Sequence, residues 1–220
     1  ERIYTSRLLG SNKELVLHGG GNTSVKSKAY DIDGNIHDVI YVKGSGSDLG
    51  SIGPQGFPAV KIKPLKNLMN KDFITDEQMV NYIKKNLIDI LAPNPSVETL
   101  VHAVIEEKFV DHTHSNAILE ICNRPDGMKL CKQLFSSDYE IVPYVMPGYI
   151  LAKKIYELYS PEKKLNGLIL FRHGIFTFGN TAKLSYDRMI EATTTAEKFL
   201  KKQKTKKITK IPRKRIKFQV

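Results

Sequence analysis

Two histidines separated by a single residue, His112 and His114, carry the clearest chemical signal in the sequence. Side chains in a strand alternate between its two faces, so residues two apart share a face and their imidazoles can converge on one metal ion. A catalytic zinc ion commonly takes three protein ligands and keeps one position for substrate. We expect His173 to be the third ligand, because the neighbouring Gly174 allows a sharp turn after an apolar strand. The residues alone also permit a plainer interpretation, in which the histidines are hydrogen-bonded or exposed and hold no metal.

An acidic residue, Glu98, lies early in a predicted helix that begins at Asn94, with Pro95 at its first position. A carboxylate at this place has two interpretations. The helix dipole alone favours an acid in the first turn. The same helix also leads through a short link into the strand with His112 and His114, so Glu98 could face their cleft and act as a general base on a metal-bound carbonyl compound.

Two glycine-rich segments, residues 19–26 and 44–50, invite a nucleotide-binding interpretation that their spacing does not support. The first lacks the Gly-Lys-Ser/Thr ending of a P-loop, and the second misses the GxGxxG spacing by one residue. We therefore expect no nucleotide cofactor. Either segment could bind a single phosphate through backbone N–H groups, with Ser96 adding an N–H and a hydroxyl, or could be only a hairpin turn.

The apolar periodicity predicts alternating helices and strands that must position these groups. Helices are expected over residues 1–10, 76–91, 94–108, 148–159 and 187–202. Strands are expected over residues 15–18, 22–26, 39–42, 110–119 and 167–171, with a hairpin turn at Asp33-Gly34. Since hairpins outnumber regular βαβ units, the sequence favours an antiparallel or mixed sheet covered by helices.

The net charge of +11 is concentrated at one end of the chain. Residues 201–217 contain ten basic residues and no acid, which leaves about +1 for the rest. The body therefore presents no basic face of the kind that binds nucleic acid, and we expect no nucleic-acid partner. No run of eighteen apolar residues occurs and only two cysteines are present, so we expect no membrane segment, no disulfide framework and a cytoplasmic location.

Several short motifs follow one another in a defined order: Gly21-Asn22-Thr23-Ser24, Ser45-Gly46, Pro95-Ser96-Val97-Glu98, His112-Thr113-His114 and His173-Gly174. This set resembles the class II aldolase/adducin family over residues 18–200. The longer sequence segments of residues 4–26 and 42–46 are similar to the aldolase half of bifunctional rhamnulose-1-phosphate aldolase/alcohol dehydrogenases. In those proteins a short-chain dehydrogenase domain follows the aldolase domain. We expect residues 1–200 to be the aldolase-like domain and residues 201–220 to be a basic tail, either the start of such a linker or a solvated end.

The resemblance implies a three-layer α/β/α domain with a central, mainly antiparallel sheet. It implies zinc, or another divalent metal, on the three histidines and Glu98 as the catalytic acid/base. It also implies a phosphate site made by Asn22, Ser45, Gly46 and Ser96. Family aldolases often have a second serine where Val97 stands here, and Lys43 could supply the missing attraction for phosphate.

The reaction implied by the resemblance is cleavage of a ketose 1-phosphate to dihydroxyacetone phosphate and an aldehyde such as lactaldehyde. Epimerases, dehydratases and decarboxylases use the same scaffold, so the family alone does not choose the reaction. A non-catalytic, adducin-like interaction module is a further alternative. Such aldolases are commonly cyclic homotetramers, and a homo-oligomer is therefore expected.

Overall fold

The computed structural model describes residues 1–208 of the chain. Its strands are β1 (Asn22–Tyr30), β2 (Ile36–Val42), β3 (Ala59–Lys61), β4 (Phe109–Thr113), β5 (Tyr139–Val142), β6 (Gly167–Leu170) and β7 (Gly174–Gly179). Its helices are α1 (Arg2–Ser11), α2 (Ile62–Leu68), α3 (Asp76–Lys85), α4 (Thr99–Val104), α5 (Asn116–Cys122), α6 (Gly127–Phe135), α7 (Tyr149–Leu158) and α8 (Ala182–Ile208). Short 3₁₀ turns at Pro54–Gly56 and Pro161–Lys163 complete the connections.

The seven strands form one sheet in the order β3-β2-β1-β4-β7-β6-β5. Every neighbouring pair is antiparallel except β5 and β6, which are parallel. The predicted mainly antiparallel sheet is therefore confirmed. In this order β4 and β7 lie side by side at the centre, so the residues at their ends are brought together.

Helices cover both faces of the sheet, which makes three layers. Strand alternation sends Leu168 and Leu170 to one face and Ile169 to the other, and each belongs to a separate buried apolar cluster. The first cluster packs the sheet against α2, α3, α4 and α7. The second packs it against α1, α5, α6 and α8. Since both faces are buried, the central strands contain few positions that solvent reaches.

Several local predictions are confirmed. The helix over residues 1–10 is α1, the helix over 148–159 is α7, and the strand over 167–171 is β6. The Asp33-Gly34 turn joins β1 to β2, and Gly34 has a φ of +80°. A glycine is suited to that left-handed conformation because it has no Cβ.

The strand predicted over residues 15–18 is wrong. These residues form a turn after α1, in which the Leu15 and Val16 amides donate hydrogen bonds to the Asn12 carbonyl. The Leu15 carbonyl in turn accepts a hydrogen bond from the His114 amide at 3.1 Å. Leu15 and Val16 are buried at the end of β4, whereas Leu17 is exposed, and the segment does not join the sheet.

The helix predicted over residues 76–91 ends at residue 85. Beyond it the chain pairs with β3: the Lys61 amide donates to the Asn86 carbonyl, and the Ile88 amide donates to the Ala59 carbonyl. These long-range hydrogen bonds replace the intrahelical ones that the apolar pattern predicts. Leu87 is buried in this edge pairing, whereas Ile90 and Leu91 are exposed.

The helix predicted over residues 94–108 is also shorter, since α4 covers only Thr99–Val104. Asn94 does not cap it, because the Asn94 carbonyl accepts a hydrogen bond from the Ser45 amide at 2.7 Å. The residue at the N-cap position is Glu98. Residues 94–96 instead run beside the loop of residues 43–46, and a turn at residues 97–98 leads into α4.

Two further boundaries differ from prediction. The strand expected to run to residue 119 ends at Thr113, and residues 117–119 lie in α5. The last helix begins at Ala182, earlier than residue 187, and continues to Ile208. Of the proposed basic tail, residues 201–208 therefore lie in α8, and residues 209–220 lie outside the described residues. Within the described part of the chain, no helix is both long and apolar enough to cross a membrane.

A buried ion pair joins α1 to the centre of the sheet. Arg2 Nη2 lies 2.6 Å from Asp111 Oδ1, and both side chains are almost completely buried. The Ser185 hydroxyl donates to the other carboxylate oxygen at 2.6 Å. Charges removed from water need such partners, since an unpaired buried charge is strongly unfavourable. Asp111 therefore depends on α1 and α8 for its place on β4.

Replacing Arg2 with Met should lower the free energy of unfolding by about 3–5 kcal/mol, because the Asp111 carboxylate would stay buried without its partner. Urea denaturation measures this change. The double variant Arg2→Met/Asp111→Asn should recover most of the loss, since the neutral amide can still accept the Ser185 hydrogen bond. A single variant as stable as the parent protein would show that the pair contributes little.

Candidate metal centre

Three histidines meet where β4 and β7 lie side by side. His112 is paired in register with Phe176, and His173 immediately precedes β7. The imidazole centroids are separated by 4.8 Å for His112 and His114, 5.1 Å for His112 and His173, and 5.5 Å for His114 and His173. One ligand atom from each ring lies within 4.8 Å of the others. The predicted convergence of these side chains is therefore present in the structure.

A hydrogen bond and a stacking contact hold the buried His112 imidazole in place. Its Nδ1 donates to the Ile175 carbonyl at 3.0 Å, which leaves the Nε2 lone pair facing the site. Its ring stacks on Phe176 with centroids 4.2 Å apart. Complete burial lowers the pKa of His112 from its usual value to about 3, opposed by the nearby Glu98 charge. The ring is therefore neutral and oriented, as a metal ligand must be.

The nitrogens of His112 and His114 have about the spacing of two ligands on one tetrahedral cation, and the ligand atoms of all three histidines lie within 4.8 Å of one another. Nε2 of His112 and Nε2 of His114 lie 3.1 Å apart. Two nitrogens bound to zinc at its usual distance would be separated by about 3.3 Å. Burial and the neighbouring His173 also lower the pKa of His114, which favours its neutral form. Nδ1 of His173 is buried and has no hydrogen-bond partner within residues 1–208.

The turn that presents His173 has a backbone with little freedom. Arg172 has a φ of +61°, a left-handed conformation that is unfavourable for a residue with a Cβ. At the next glycine, Gly174, an added Cβ would lie 2.4 Å from the Thr113 carbonyl oxygen and 3.2 Å from carbons of both His112 and His114. The turn therefore packs directly against the other two histidines, and only a glycine fits there.

Glu98 completes the site. Its Oε2 lies 3.4 Å from His112 Nε2, and its Oε1 lies 3.2 Å from His173 Nε2. Asn22 Nδ2 donates to Oε2 at 2.6 Å. Burial raises the pKa of Glu98, but the influence of His112 and the hydrogen bonds from His173 and Asn22 outweigh it and hold the pKa well below the usual range. The site thus offers three imidazoles and one carboxylate, the last from the N-cap of α4.

The residues predicted to bind phosphate lie on two adjacent segments. An isolated antiparallel bridge pairs Gly44 with Pro95, which places Lys43 opposite Ser96 and Ser45 opposite Asn94. The Ser96 amide donates to the Lys43 carbonyl at 3.1 Å, so the predicted contribution of this N–H to anion binding is wrong. Ser45 and Gly46 are exposed. Among the contacts of the described residues, no hydrogen bond or ion pair joins either of them to the histidines.

Lys43 lies on the first of these segments, and its carbonyl accepts the hydrogen bond from the Ser96 amide. Its side chain is only 4% exposed, and its Nζ donates to the Gly19 carbonyl at 3.0 Å. Burial lowers the pKa of Lys43, while the charges of Asp48 and Glu98 raise it. The ammonium group is therefore within the electrostatic reach of the site but held by one backbone carbonyl.

Two residues at the site were missed from the sequence, His102 and Ser24. Both are fully buried, and His102 hydrogen-bonds to Ser24 and to Asn22. A signal for each was available. His102 lies four residues after Glu98, which places both on one side of a helical segment, and Ser24 lies two residues after Asn22 on a strand.

The fold and the site together define an α/β domain with a candidate metal centre at the middle of its sheet. Residues 1–200 match the family model described as "Class II Aldolase and Adducin N-terminal domain", and the chain belongs to this family. The resemblance found in the sequence is thereby confirmed.

Individual relatives agree with this membership. The chain is 36% identical over 200 residues to "Uncharacterized oxidoreductase YuxG" of Bacillus subtilis (strain 168). The match covers 91% of this chain but only 29% of that protein. The chain thus spans less than a third of that relative. The N-terminal class II aldolase domain of a conserved protein from Thermoplasma acidophilum is 42% identical, with a TM-score of 0.86, over 91% of this chain and 92% of that one.

A more distant solved structure, the L-fuculose-1-phosphate aldolase from Thermus thermophilus, is 16% identical with a TM-score of 0.60. The match covers 93% of this chain and 97% of that one. At this identity the likeness shows a common fold.

Replacing Gly21 with Ala should destabilise the protein by about 1–3 kcal/mol from its φ of +63° alone. The added Cβ would also lie 2.8 Å from the His112 carbonyl oxygen and displace the strand that holds this ligand. The matched control is Gly34→Ala, which has a φ of +80° and open space around the Cβ. Thermal denaturation should therefore show a larger loss for Gly21→Ala. Equal losses would mean that β4 is not displaced.

Proposed function

We propose that this domain is a zinc-dependent aldolase acting on a ketose 1-phosphate of the rhamnulose 1-phosphate type. Its products would be dihydroxyacetone phosphate and an aldehyde such as lactaldehyde. The observation that carries the proposal is the convergence of His112, His114 and His173 with the Glu98 carboxylate at one point of the sheet. Membership of the class II aldolase and adducin family, and the name of the Thermus relative, support the reaction class.

A bound zinc ion would supply Lewis-acid stabilisation of the negative charge that develops on substrate oxygens. The three imidazoles would hold it. His112 is suited to this role because burial keeps it neutral and the Ile175 carbonyl fixes its tautomer. The ligand is therefore ready without a proton to lose.

Glu98 would move the proton at the reacting carbon. Its carboxylate is buried and unprotonated, so it can accept a proton from a substrate carbon and return it. Asn22 holds one oxygen, Oε2, by a hydrogen bond. The other oxygen, Oε1, faces His173 Nε2 at 3.2 Å, so both carboxylate oxygens are held toward the candidate metal site.

The phosphate of the substrate would lie between the loop of residues 43–46 and the segment of residues 94–98. The Gly46 amide donates to no acceptor in the described part of the chain, and Ser96 Oγ accepts hydrogen bonds from Asn22 and from the Glu98 amide. The hydroxyl proton of Ser96 is therefore available for an anion. The proposed phosphate residues are Lys43, Ser45, Gly46 and Ser96, and Asn22 would act on the phosphate through the Ser96 hydroxyl that its amide holds.

The main alternatives are an epimerase, dehydratase or decarboxylase reaction on the same scaffold and an adducin-like interaction module. The interaction module would need neither the histidines nor Glu98, and their convergence at one point favours an enzyme. We further propose that the domain acts in the cytoplasm as a homo-oligomer, with a tetramer as the expected form. The oxidoreductase name of the longer relative supports a fusion of the aldolase to a short-chain dehydrogenase.

Zinc should bind to the purified, chelator-treated protein at about one ion per chain. Replacing His173 with Ala should weaken zinc affinity by more than about 100-fold, since even the loss of a residue that only supports a ligand costs 10–100-fold. Calorimetric titration measures the affinity, and elemental analysis measures the bound metal. His37→Ala is the control, because His37 contacts Asp31 far from the site. Equal zinc affinity in His173→Ala and the parent would rule out this metal centre.

Replacing Glu98 with Gln should leave zinc bound and lower kcat by about 100-fold or more, because the amide cannot accept the proton. The Asn22 hydrogen bond can persist on the amide oxygen. The assay follows dihydroxyacetone phosphate release from zinc-loaded protein with a panel of ketose 1-phosphates.

Two comparisons make the Glu98 experiment decisive. Glu106→Gln changes an exposed glutamate and should leave kcat unchanged. The same ketoses without phosphate should react with a higher KM. Unchanged turnover in Glu98→Gln would remove Glu98 from the mechanism, and no turnover of any ketose 1-phosphate by the parent would reject the aldolase assignment.

A further inference from the structure

A chain of buried hydrogen bonds extends from Glu98 away from the histidines. Glu98 Oε2 accepts from Asn22 Nδ2 at 2.6 Å, and the same nitrogen donates to Ser96 Oγ at 3.1 Å. Asn22 Oδ1 lies 2.5 Å from His102 Nε2. His102 Nδ1 lies 2.8 Å from Ser24 Oγ. All five side chains are less than a tenth exposed, so protein groups must satisfy them.

The direction of every hydrogen bond in this chain follows from the carboxylate. An ionised carboxylate only accepts hydrogen bonds, so the NH₂ group of Asn22 must face Glu98. The Asn22 carbonyl oxygen then faces His102, and Nε2 of His102 must carry the proton.

The same reasoning fixes the other end of the chain. With its proton on Nε2, the imidazole has a lone pair on Nδ1, and the Ser24 hydroxyl must donate to it. The reverse arrangement would place the Asn22 carbonyl oxygen against the Glu98 carboxylate, where two acceptors would repel. Only one tautomer of His102 therefore satisfies all the groups.

We propose that His102 is a positioning residue that orients Glu98 and Ser96 for substrate through Asn22. As a neutral imidazole protonated on Nε2, it locks the Asn22 amide so that both amide hydrogens face the site. One hydrogen holds Glu98 Oε2, and the other holds Ser96 Oγ and leaves the serine proton for substrate. The role in turnover rests on the proposed aldolase function, whereas the tautomer does not.

The surroundings of His102 are suited to this role. It lies on α4, whose N-cap is Glu98, so the two hydrogen-bond partners of Asn22, Glu98 and His102, are on one short segment. Its ring packs edge-on against the Phe176 ring, with the two centroids 5.3 Å apart. Phe176 also stacks on His112. Burial lowers the pKa of His102 well below the usual value, which agrees with a neutral ring.

The tautomer can be measured on the unaltered protein. Long-range ¹H–¹⁵N correlation spectra distinguish a protonated ring nitrogen from one with a lone pair. We expect His102 to show a protonated Nε2 and an unprotonated Nδ1, unchanged over about pH 6 to 8, where an ordinary histidine titrates. A proton on Nδ1, or an imidazolium, would overturn the proposal whether or not the protein is an aldolase.

A pair of variants tests the functional role. In His102→Leu no donor remains for Asn22, and kcat should fall by about 10–100-fold while zinc stoichiometry stays the same. In His102→Gln the amide can donate to Asn22 and accept from Ser24, so most of kcat should return. A buried residue with only a packing role would not distinguish the two in this way.

The result that would overturn the functional role is equal kcat in His102→Leu and the parent, or an equal loss in both variants with zinc affinity retained. If the parent turns over no substrate, the proposed function fails. The tautomer measurement still decides the hydrogen-bond chain in that case.

Discussion

The antiparallel register of β1, β4 and β7 is the constraint on which the site depends. It places Asn22, His112 and Phe176 in one row across three strands. A shift of one residue in either pairing would send His112 to the opposite face of the sheet, because strand side chains alternate. The same register sets the His112 hydrogen bond to the Ile175 carbonyl and brings the turn with His173 against Thr113. One strand pairing therefore assembles ligands that are distant in sequence.

The register is itself held by polar contacts on the other face of β4. Asp111 points away from the histidines, and Arg2 and Ser185 satisfy its carboxylate. A strand with buried polar groups on both faces can adopt few alternative positions, since each shift would leave a charge or an imidazole without a partner. The helices that provide those partners, α1 and α8, are thus part of the support for the metal centre although they do not reach it.

Local sequence rules predicted the parts of the site that depend on neighbouring residues. The meeting of His112 with His114 was predicted from strand alternation and is present, although His114 lies one residue beyond the end of β4. The Gly34 hairpin follows from turn geometry and is also present. The start of α4 could not be predicted in this way. Asn94 and Pro95 have the local pattern of a helix start, but the loop of residues 43–46 takes their hydrogen bonds. Pairing across fifty residues leaves no local signal, and it moves Glu98 from a helix turn to the N-cap.

The later start of α4, at Thr99, has a chemical consequence. Because the backbone of residues 94–96 is used to pair with the loop of residues 43–46, the Ser45 and Ser96 amides are not available to a ligand. The phosphate proposed to bind at this edge would therefore be recognised by side-chain hydroxyls, by Lys43 and by the amide of Gly46. Such groups need orientation by their neighbours, whereas backbone amides in a rigid loop are oriented by the loop itself. The buried hydrogen bonds of Asn22 provide that orientation for Ser96, and they tie it to the carboxylate of Glu98. One side chain, Asn22, therefore positions both the proposed binding hydroxyl of Ser96 and the proposed proton-transfer carboxylate of Glu98.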